Sequence, residues 1–252
     1  KARGMIILIL AAGYATRLYP LTLNKPKPLL EVGKRPILER VFDKISGLPG
    51  VEKCFIVTNE KFFKSFSEWA SKYRFKVPIE VVNDMTTTNE NRLGAIRDIE
   101  FVIENKSIRD DILVIGGDNL FEFSLAEFTA FARARRPGAS LALFDIKDIG
   151  KAGLYGVAKI DSSKRVIEFK EKPPSPQSTL IATCVYYFPR EKIDLIKEYL
   201  SADKGKDAPG NYIKWLSENT EVYGFTFEGN WYDIGDIRSY EEADKKYSSK
   251  KN

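Results

Sequence analysis

The amino-acid sequence predicts an α/β fold built on a mixed, mostly parallel sheet with helices on both faces. In the first half of the chain, short segments that are apolar throughout, such as Met5–Leu10, alternate with segments whose apolar residues recur at helical spacing. Strands without polar alternation are typical of parallel sheets that are buried on both faces. After residue 145 the pattern changes, because strand-like segments 155–160 and 166–170 flank the polar turn 161–164, which predicts a β-hairpin.

The elements of the first half are predicted from two signals. Strands are expected where a short apolar run is bounded by glycine, proline or polar residues. Helices are expected where apolar residues recur every three or four positions, and the first helix is followed by the stop residues Gly47 and Pro49. The aromatic residues of the second helix are expected to pack in the core rather than bind a cofactor. The predicted strands are 5–10, 55–57, 78–82, 112–115 and 140–144, and the predicted helices are 36–46, 62–73, 96–103 and 125–136.

The second half is interpreted with the same signals. A capping-box pattern at 239–242 predicts the start of the last helix, and the tail 248–252 is expected to fray. No repeat or apolar-poor linker divides the chain, so residues 5–247 are predicted to form a single domain. Residues 1–4, which precede Met5, are interpreted as residues added for expression. The remaining predicted strands are 155–160, 166–170, 183–188 and 222–227, and the remaining helices are 193–200 and 213–216.

The composition excludes several classes of function. The 252 residues include no histidine, which removes Ser/His/Asp triads, histidine bases and His-ligated zinc. Cys54 and Cys184 lie in separate strand-like segments without metal-ligand spacing, and we expect both to be buried free thiols in a reducing cytoplasm. The net charge of +5 is spread along the chain, and no apolar run approaches a membrane span. Neither nucleic acid nor a membrane is therefore an expected partner.

The segment after the first strand carries the strongest functional signal. The strand is followed by Ala11, Ala12 and Gly13, and such small residues let a ligand approach backbone N–H groups closely. Arg17 and Lys27 follow within the reach of one loop. Two cations beside accessible backbone amides suit a phosphate-rich ligand.

Three kinds of phosphate site compete for this loop. A Walker-A loop requires Gly-x-x-x-x-Gly-Lys-Ser/Thr leading directly into a helix, and this segment has neither the glycine pair nor that helix. A dinucleotide fingerprint requires a helix that holds the pyrophosphate, and Pro20, Pro26 and Pro28 exclude a long regular helix here. Composition and spacing therefore favour the third kind, an irregular loop that supplies its own arginine and lysine.

Several motifs together identify a family. Residues 10–20, Leu-Ala-Ala-Gly-Tyr-Ala-Thr-Arg-Leu-Tyr-Pro, with residues 25–30, Lys-Pro-Lys-Pro-Leu-Leu, closely resemble the signature of sugar-1-phosphate nucleotidyltransferases. These are the NDP-sugar pyrophosphorylases, such as glucose-1-phosphate thymidylyltransferase and uridylyltransferase. Shorter motifs resemble that family in the same order along residues 5–247, namely Gly116-Gly117-Asp118, Tyr155-Gly156-Val157, Glu171-Lys172-Pro173 and Trp231-Tyr232-Asp233-Ile234-Gly235.

The resemblance implies a fold, a reaction and a cofactor. The implied fold is the Rossmann-like fold of nucleotide-diphospho-sugar transferases, with a nucleotide-binding half, 5–145, and a sugar-phosphate-binding half, 146–247. The implied reaction transfers a nucleotidyl group from an NTP, with UTP or dTTP favoured, to a sugar-1-phosphate such as glucose-1-phosphate, and releases pyrophosphate. Such an anionic transition state requires positioning and positive charge rather than a base. The implied cofactor is Mg²⁺, which typically takes one or two carboxylates together with substrate phosphates.

The resemblance also assigns roles to individual residues. The implied catalytic residues are Arg17, for the β/γ-phosphates, and Lys27, for the α-phosphate and the incoming phosphate. The implied metal ligands are Asp118 and Asp233. The implied nucleotide-binding residues are Leu10, Ala11, Ala12, Gly13, Thr16, Asn89, Gly94 and Gly117, and the implied sugar-phosphate-binding residues are Tyr155, Gly156, Glu171, Lys172 and Trp231.

The sequence departs from the family pattern in and near the loop. Ala15 replaces a glycine, Pro28 follows Lys27 where thymidylyl- and uridylyl-type members often have Gln or Glu, and Asn89 stands where thymidylyl-type members have Gln. The base therefore stays open, with UTP or dTTP ahead of CTP and then GTP. Two alternatives remain: a cytidylyltransferase that acts on phosphocholine or another non-sugar phosphate, and a non-catalytic nucleotide-binding regulatory subunit. The sequence does not decide whether the protein forms a homo-oligomer.

Overall fold

The computed structural model describes residues 4–202, 205 and 207–249. Residues 1–3, which were interpreted as added for expression, and residues 250–252 of the predicted tail lie outside the described residues. The described part of the predicted tail is helical, because the last helix continues through Ser249. Within the described ranges, no helix has both the length and the apolar composition needed to cross a bilayer.

Strands and helices alternate through most of the chain. The strands are β1 (Met5–Leu10), β2 (Glu31–Val32), β3 (Arg35–Pro36), β4 (Val51–Thr58), β5 (Ile79–Asn83), β6 (Asp111–Gly116), β7 (Asn119–Phe121), β8 (Ala139–Asp145), β9 (Gly156–Ile160), β10 (Val166–Glu171), β11 (Leu180–Phe188), β12 (Val222–Phe227) and β13 (Trp231–Asp233). The helices are α1 (Ile37–Ser46), α2 (Glu60–Lys72), α3 (Ala95–Asn105), α4 (Leu125–Arg133), α5 (Ile149–Ala152), α6 (Asp194–Ser201), α7 (Pro209–Asn219) and α8 (Ile237–Ser249). Single 3₁₀ turns occur at Thr16–Leu18, Lys27–Leu29 and Arg190–Lys192.

A nine-stranded sheet lies at the centre of the described structure. Its order is β10-β9-β11-β6-β1-β4-β5. In addition, β8 pairs with β11, and β12 pairs with β8. β1 is parallel to β4 and β6, β4 is parallel to β5, and β8 is parallel to β12. β11 is antiparallel to β6, β8 and β9, and β9 and β10 form the predicted hairpin. The predicted α/β fold with a mixed sheet is confirmed.

Helices cover both faces of the sheet because alternate residues of a strand point to opposite sides. Ile7 and Ile9 of β1 pack in a cluster with apolar residues of α1, α2 and α4. Leu8, between them, packs in a second cluster with residues of α3, α6 and α7. Both faces of the central strands are therefore apolar, which explains why their sequences lack polar alternation.

The register of the central strands places the functional loops at one edge. Leu10, the last residue of β1, pairs with Gly116 at the end of β6 and with Val57 near the end of β4. The segments after these parallel strands therefore leave the sheet together at its carboxyl edge, where ligands of open α/β sheets bind.

A two-stranded sheet that the sequence did not predict completes this edge. β7 and β13 are antiparallel and set Asp233 opposite Asn119. Strands of three residues are too short to produce a recognisable pattern. The capping box of α8 also lies earlier than predicted, because Asp236 Oδ1 accepts from Ser239 N (2.8 Å) and Ser239 Oγ accepts from Asp236 N (3.1 Å).

Candidate active site

The loop after β1 is fixed by side chains at the end of β4. Thr58 Oγ1 donates to the Ala11 carbonyl at 3.1 Å, and Asn59 Nδ2 donates to the Ala12 carbonyl at 2.8 Å. Both donors are fully buried, so these bonds are protected from competition with water. Gly13, which follows, is exposed, and a Cβ atom there would meet nothing within 4 Å. The predicted phosphate loop is therefore fixed by buried hydrogen bonds and is exposed to solvent at Gly13.

Gly117 allows three segments to meet beside this loop. Its N–H donates to the Leu10 carbonyl at 2.9 Å. A Cβ atom on Gly117 would lie 3.0 Å from that oxygen and 3.2 Å from Cγ of Pro28. Pro28, a departure from the family pattern, thus packs directly on the turn after β6, and its 3₁₀ turn brings Lys27 to the same place.

Ala15 adopts the left-handed backbone conformation, with φ 48° and ψ 43°. For a residue with a Cβ atom this conformation costs about 1 kcal/mol, whereas glycine adopts it freely. The buried Thr22 hydroxyl donates to the Ala15 carbonyl at 2.8 Å and stabilises the turn. The 3₁₀ turn that follows presents Thr16 and Arg17 at the surface of the site.

Lys27 and Asp118 form an ion pair at the carboxyl edge of the sheet. Lys27 Nζ lies 2.7 Å from Asp118 Oδ2, and the lysine side chain is 12% exposed whereas that of Asp118 is 43% exposed. A lysine so far removed from water requires a partner for its charge, and the carboxylate provides one. The predicted catalytic lysine and one predicted metal ligand are therefore in direct contact.

Asp233 joins this charged group from β13. Loss of water around its carboxyl group and the negative charge of Asp118 raise the pKa of Asp233, while the positive charges of Lys27 and Arg17 oppose the rise. Tyr155 lies beside Asp233, and burial together with that carboxylate raises the pKa of Tyr155 to about 12. Because such effects weaken with distance, two carboxylates and two cations converge here.

Asp118 and Asp233 fit Mg²⁺ as a partial set of ligands. In the part of the chain that the structure describes, no group of three or more cysteine, aspartate or glutamate side chains could hold a metal ion. Mg²⁺ keeps several waters and usually takes only one or two protein carboxylates together with substrate phosphates. The pair therefore suits an ion that binds with a nucleotide rather than one held by protein alone.

A cavity of about 510 Å³ opens beside the charged group. Arg17 of the phosphate loop and Asp233 line one end (the predicted phosphate end), and residues from β9, β10 and α7 line the other (the predicted sugar end). It brings together six of the predicted site residues, namely Arg17, Tyr155, Gly156, Glu171, Lys172 and Asp233.

Glu171 and Lys172 place opposite charges at the far end of the cavity. Burial raises the pKa of the Glu171 carboxyl group, and the charge of Lys172 opposes this rise. No side chain in the described ranges hydrogen-bonds to the Glu171 carboxylate, so its oxygens are available to accept bonds from a ligand. A carboxylate acceptor beside an exposed ammonium group suits a molecule that carries hydroxyl groups and a phosphate.

Trp231 does not line the cavity. Its indole N–H donates to Asn119 Oδ1 at 2.7 Å, and its ring packs edge-on against Tyr155 with centroids 5.3 Å apart. Trp231 therefore packs against Tyr155 from outside the cavity.

The expectation of two buried thiols is correct for Cys54 and wrong for Cys184, which is half-buried and lines the cavity. Burial around its sulfur raises the pKa of Cys184 to about 12, which keeps the thiol protonated.

Asn89 and Gly94 lie in the loop between β5 and α3, outside the cavity wall. Gly94 has φ 91° and is the N-cap of α3. The half-buried Asn89 accepts a bond at its carbonyl from Arg92 Nη1 at 2.8 Å. The loop adjoins the phosphate loop, because the Tyr14 hydroxyl donates to the Thr86 carbonyl at 3.1 Å. The loop that carries the predicted nucleotide-binding residues Asn89 and Gly94 therefore contacts the phosphate loop through Thr86.

Residues 6–250 match the family model for nucleotidyl transferases. The chain belongs to this family. The family predicted from the motifs is thereby confirmed.

Similar proteins include archaeal relatives. The Bifunctional protein GlmU of Methanocaldococcus jannaschii is 29% identical over 241 residues, which cover 96% of this chain and 54% of that protein. A Sulfolobus acidocaldarius protein assigned as a mannose-1-phosphate guanyltransferase is 27% identical over 234 residues, with coverages of 92% and 60%. The chain spans about half the length of the first of these relatives. In structure, it resembles a Bacillus anthracis protein assigned as a glucose-1-phosphate thymidylyltransferase, with a TM-score of 0.85, 24% identity and coverages of 99% and 97%.

This nucleotidyl transferase also contains a buried carboxyl pair that sequence analysis missed. Asp84 and Asp98, at the two ends of the loop that carries Asn89, are 4% and 5% exposed. Asp84 Oδ1 accepts from the N–H and the hydroxyl of Thr86, each at 2.7 Å. Burial and the negative charge of Asp84 raise the pKa of Asp98 to about 8, so the pair shares a proton near neutral pH.

The missed residues differ in how they could have been found. Thr58 and Asn59 directly follow a predicted strand, so the rule that ligand-site residues follow parallel strands identifies them. Asp98 lies among apolar residues of a helix, and no pattern in the sequence distinguishes it from an exposed aspartate.

Proposed function

We propose that this nucleotidyl transferase transfers a nucleotidyl group from an NTP to a sugar-1-phosphate and releases pyrophosphate. One observation carries the proposal: Arg17 and Asp233 share a single cavity with Glu171 and Lys172. Arg17 and Asp233 belong to the charged group around Lys27, which suits phosphates. Glu171 and Lys172 suit a hydroxyl-rich molecule with its own phosphate.

In the proposed reaction, a phosphate oxygen of the sugar-1-phosphate attacks the α-phosphorus of the NTP while the bond to pyrophosphate breaks. Negative charge is spread over the phosphoryl oxygens, so the protein contributes alignment and positive charge. Lys27 neutralises the α-phosphate and the incoming phosphate, Arg17 holds the β/γ-phosphates, and Lys172 holds the phosphate of the acceptor. No base is needed because the attacking phosphate is already an anion.

Asp118 and Asp233 are the residues that would hold Mg²⁺. The bound ion supplies further charge neutralisation on the phosphates. The positions of the two carboxylates depend on the β7–β13 pairing, which sets Asp233 opposite Asn119, the residue after Asp118. We place this activity in the cytoplasm.

The first substrates to test are UTP or dTTP with glucose-1-phosphate, because the motifs resemble thymidylyl- and uridylyl-type enzymes. The names of similar proteins extend the panel, since one is assigned as a mannose-1-phosphate guanyltransferase. The half-buried Asn89, in the loop that adjoins the phosphate end, is our candidate for contact with the base.

A pyrophosphate-release screen tests the proposal. It combines ATP, CTP, GTP, UTP and dTTP with a panel of sugar-1-phosphates and with phosphocholine, with and without Mg²⁺. Pyrophosphate release with a sugar-1-phosphate supports the proposal. Release with phosphocholine alone would favour the cytidylyltransferase alternative, and nucleotide binding without any release would favour the regulatory subunit.

A further inference from the structure

Gly210 occupies an unusual position for a glycine. It lies in the first turn of α7, directly after Pro209, and it is buried against the sugar end of the cavity. A glycine within a helix costs about 1 kcal/mol relative to alanine, and this one has no left-handed backbone angle to justify it. Its presence therefore calls for a packing explanation.

The explanation is the position of the Glu171 carboxylate. A Cβ atom on Gly210 would lie 1.7 Å from Glu171 Oε2 and 2.8 Å from Glu171 Cδ. A Cβ atom on Gly156 would lie 2.5 Å from Cζ of Phe169 and 3.0 Å from the same Glu171 oxygen, and the Phe169 ring would also lie 3.1 Å from a Cβ atom on Gly210. The carboxylate thus lies in a slot between the backbones of two glycines, one on β9 and one on α7.

This slot matters because, within the described residues, no side chain hydrogen-bonds to the Glu171 carboxylate. Apart from the charge of Lys172, packing determines where its oxygens lie. Any side chain at position 210 would force the carboxylate out of the slot. The open space beside it is the cavity, so the displaced group would also reduce the room for a ligand.

We infer that Gly210 is a positioning residue that holds Glu171 at the sugar end of the cavity and thereby determines how the acceptor is bound. The inference rests on the proposed function, which gives Glu171 its ligand. Gly210 acts through Glu171 and touches no reacting atom.

The first experiment compares Gly210→Ala with Asn211→Ala, a control at the next, exposed residue of α7. Gly210→Ala is expected to raise KM for the sugar-1-phosphate about tenfold, while kcat and KM for the NTP change by less than about twofold. Asn211→Ala is expected to change none of these constants. An unchanged acceptor KM in Gly210→Ala would overturn the inference.

A double-mutant cycle with Glu171→Ala separates this clash from other effects of the substitution. Without the Glu171 carboxylate, Gly210→Ala should cause no further rise in acceptor KM and should raise Tm, because alanine favours the helix. With Glu171 present, the same substitution should raise Tm less or lower it.

The Tm cycle needs no activity, so it distinguishes the two proposals. Equal Tm shifts in both backgrounds contradict the role of Gly210, whatever the enzyme does. Coupled Tm shifts in a protein that releases no pyrophosphate with any sugar-1-phosphate would instead refute the proposed function and leave the packing of Glu171 on Gly210 in place.

Discussion

The two ends of the cavity are held together by different means. At the phosphate end, buried side chains such as Asn59 donate to loop carbonyls, and Lys27 contacts Asp118 at 2.7 Å. At the sugar end, Glu171 lies where Gly156 and Gly210 leave room for it. Attractive contacts determine the first end, and steric clearance determines the second. We therefore expect substitutions at the phosphate end to change kcat and stability, and substitutions at the sugar end to change the acceptor KM.

The largest effect is expected at the phosphate end, for Lys27→Ala. Loss of a fixed charge that stabilises the transition state should lower kcat about 10²- to 10³-fold, measured as pyrophosphate release. Lys25→Ala, an exposed cation in the same loop, is the matched control and should retain kcat. Equal activities of the two variants would contradict the assignment of Lys27.

Asn59→Ala tests whether hydrogen bonds maintain that end. The substitution leaves the buried Ala12 carbonyl without its donor and removes the bond that Asn59 Oδ1 accepts from the N–H of Phe62 at the start of α2. We expect the free energy of unfolding, measured with urea, to fall by about 1–3 kcal/mol. The exposed Asn211→Ala serves as the control, and a loss no larger than that of the control would show that the loop does not depend on Asn59.

Glu171→Gln probes the sugar end. The amide retains the size of the carboxyl group but loses the charge that strengthens bonds to hydroxyl donors. The acceptor KM should rise about tenfold, whereas NTP affinity, measured by calorimetry, should stay the same. A change in kcat without a change in acceptor KM would contradict the expectation that sugar-end substitutions act on acceptor binding.

The smallest expected effect concerns the Asp84–Asp98 pair near the phosphate end. Folded Asp98 keeps its proton up to about pH 8, whereas an unfolded aspartate releases it near pH 4. The folded state holds more protons within this window, so the free energy of unfolding should decrease as the pH rises from about 4 to about 8. Asp98→Asn should reduce this decrease in urea unfolding experiments, and an unchanged slope would exclude the shared proton as its source.

The sequence predicts motifs at both ends of the cavity but not the contacts that position them, for a physical reason. Leu10, Lys27 and Asp118 belong to short contiguous motifs next to strands, and the register of parallel strands brings such motifs together. Gly210 acts on a residue that is remote in sequence, and its role depends on the distance between a helix and a strand. No local pattern encodes that distance.

Two residues of one motif, Trp231 and Asp233, show how far a sequence motif predicts the positions of side chains. Asp233 was predicted as a metal ligand, but the β7–β13 pairing that positions it involves strands too short to detect. Trp231 belongs to the same motif and was predicted to bind the sugar phosphate, yet its side chain contacts Asn119 and Tyr155 outside the cavity wall. A motif thus identifies the segment that matters and does not tell which of its side chains face the ligand.

Under the proposed function, the Lys27–Asp118 ion pair would give Lys27 an anionic partner before any phosphate binds. A lysine that contacts an anion only when a ligand binds loses much of its side-chain conformational freedom at that step. Lys27 has already lost that freedom in its contact with the Asp118 carboxylate. An arriving phosphate then exchanges with a group of the same sign, and the carboxylate that it releases is one of the two that suit Mg²⁺. Under the proposed function, substrate binding would therefore exchange one anionic partner of Lys27 for another, and the lysine would be ordered before the substrate binds.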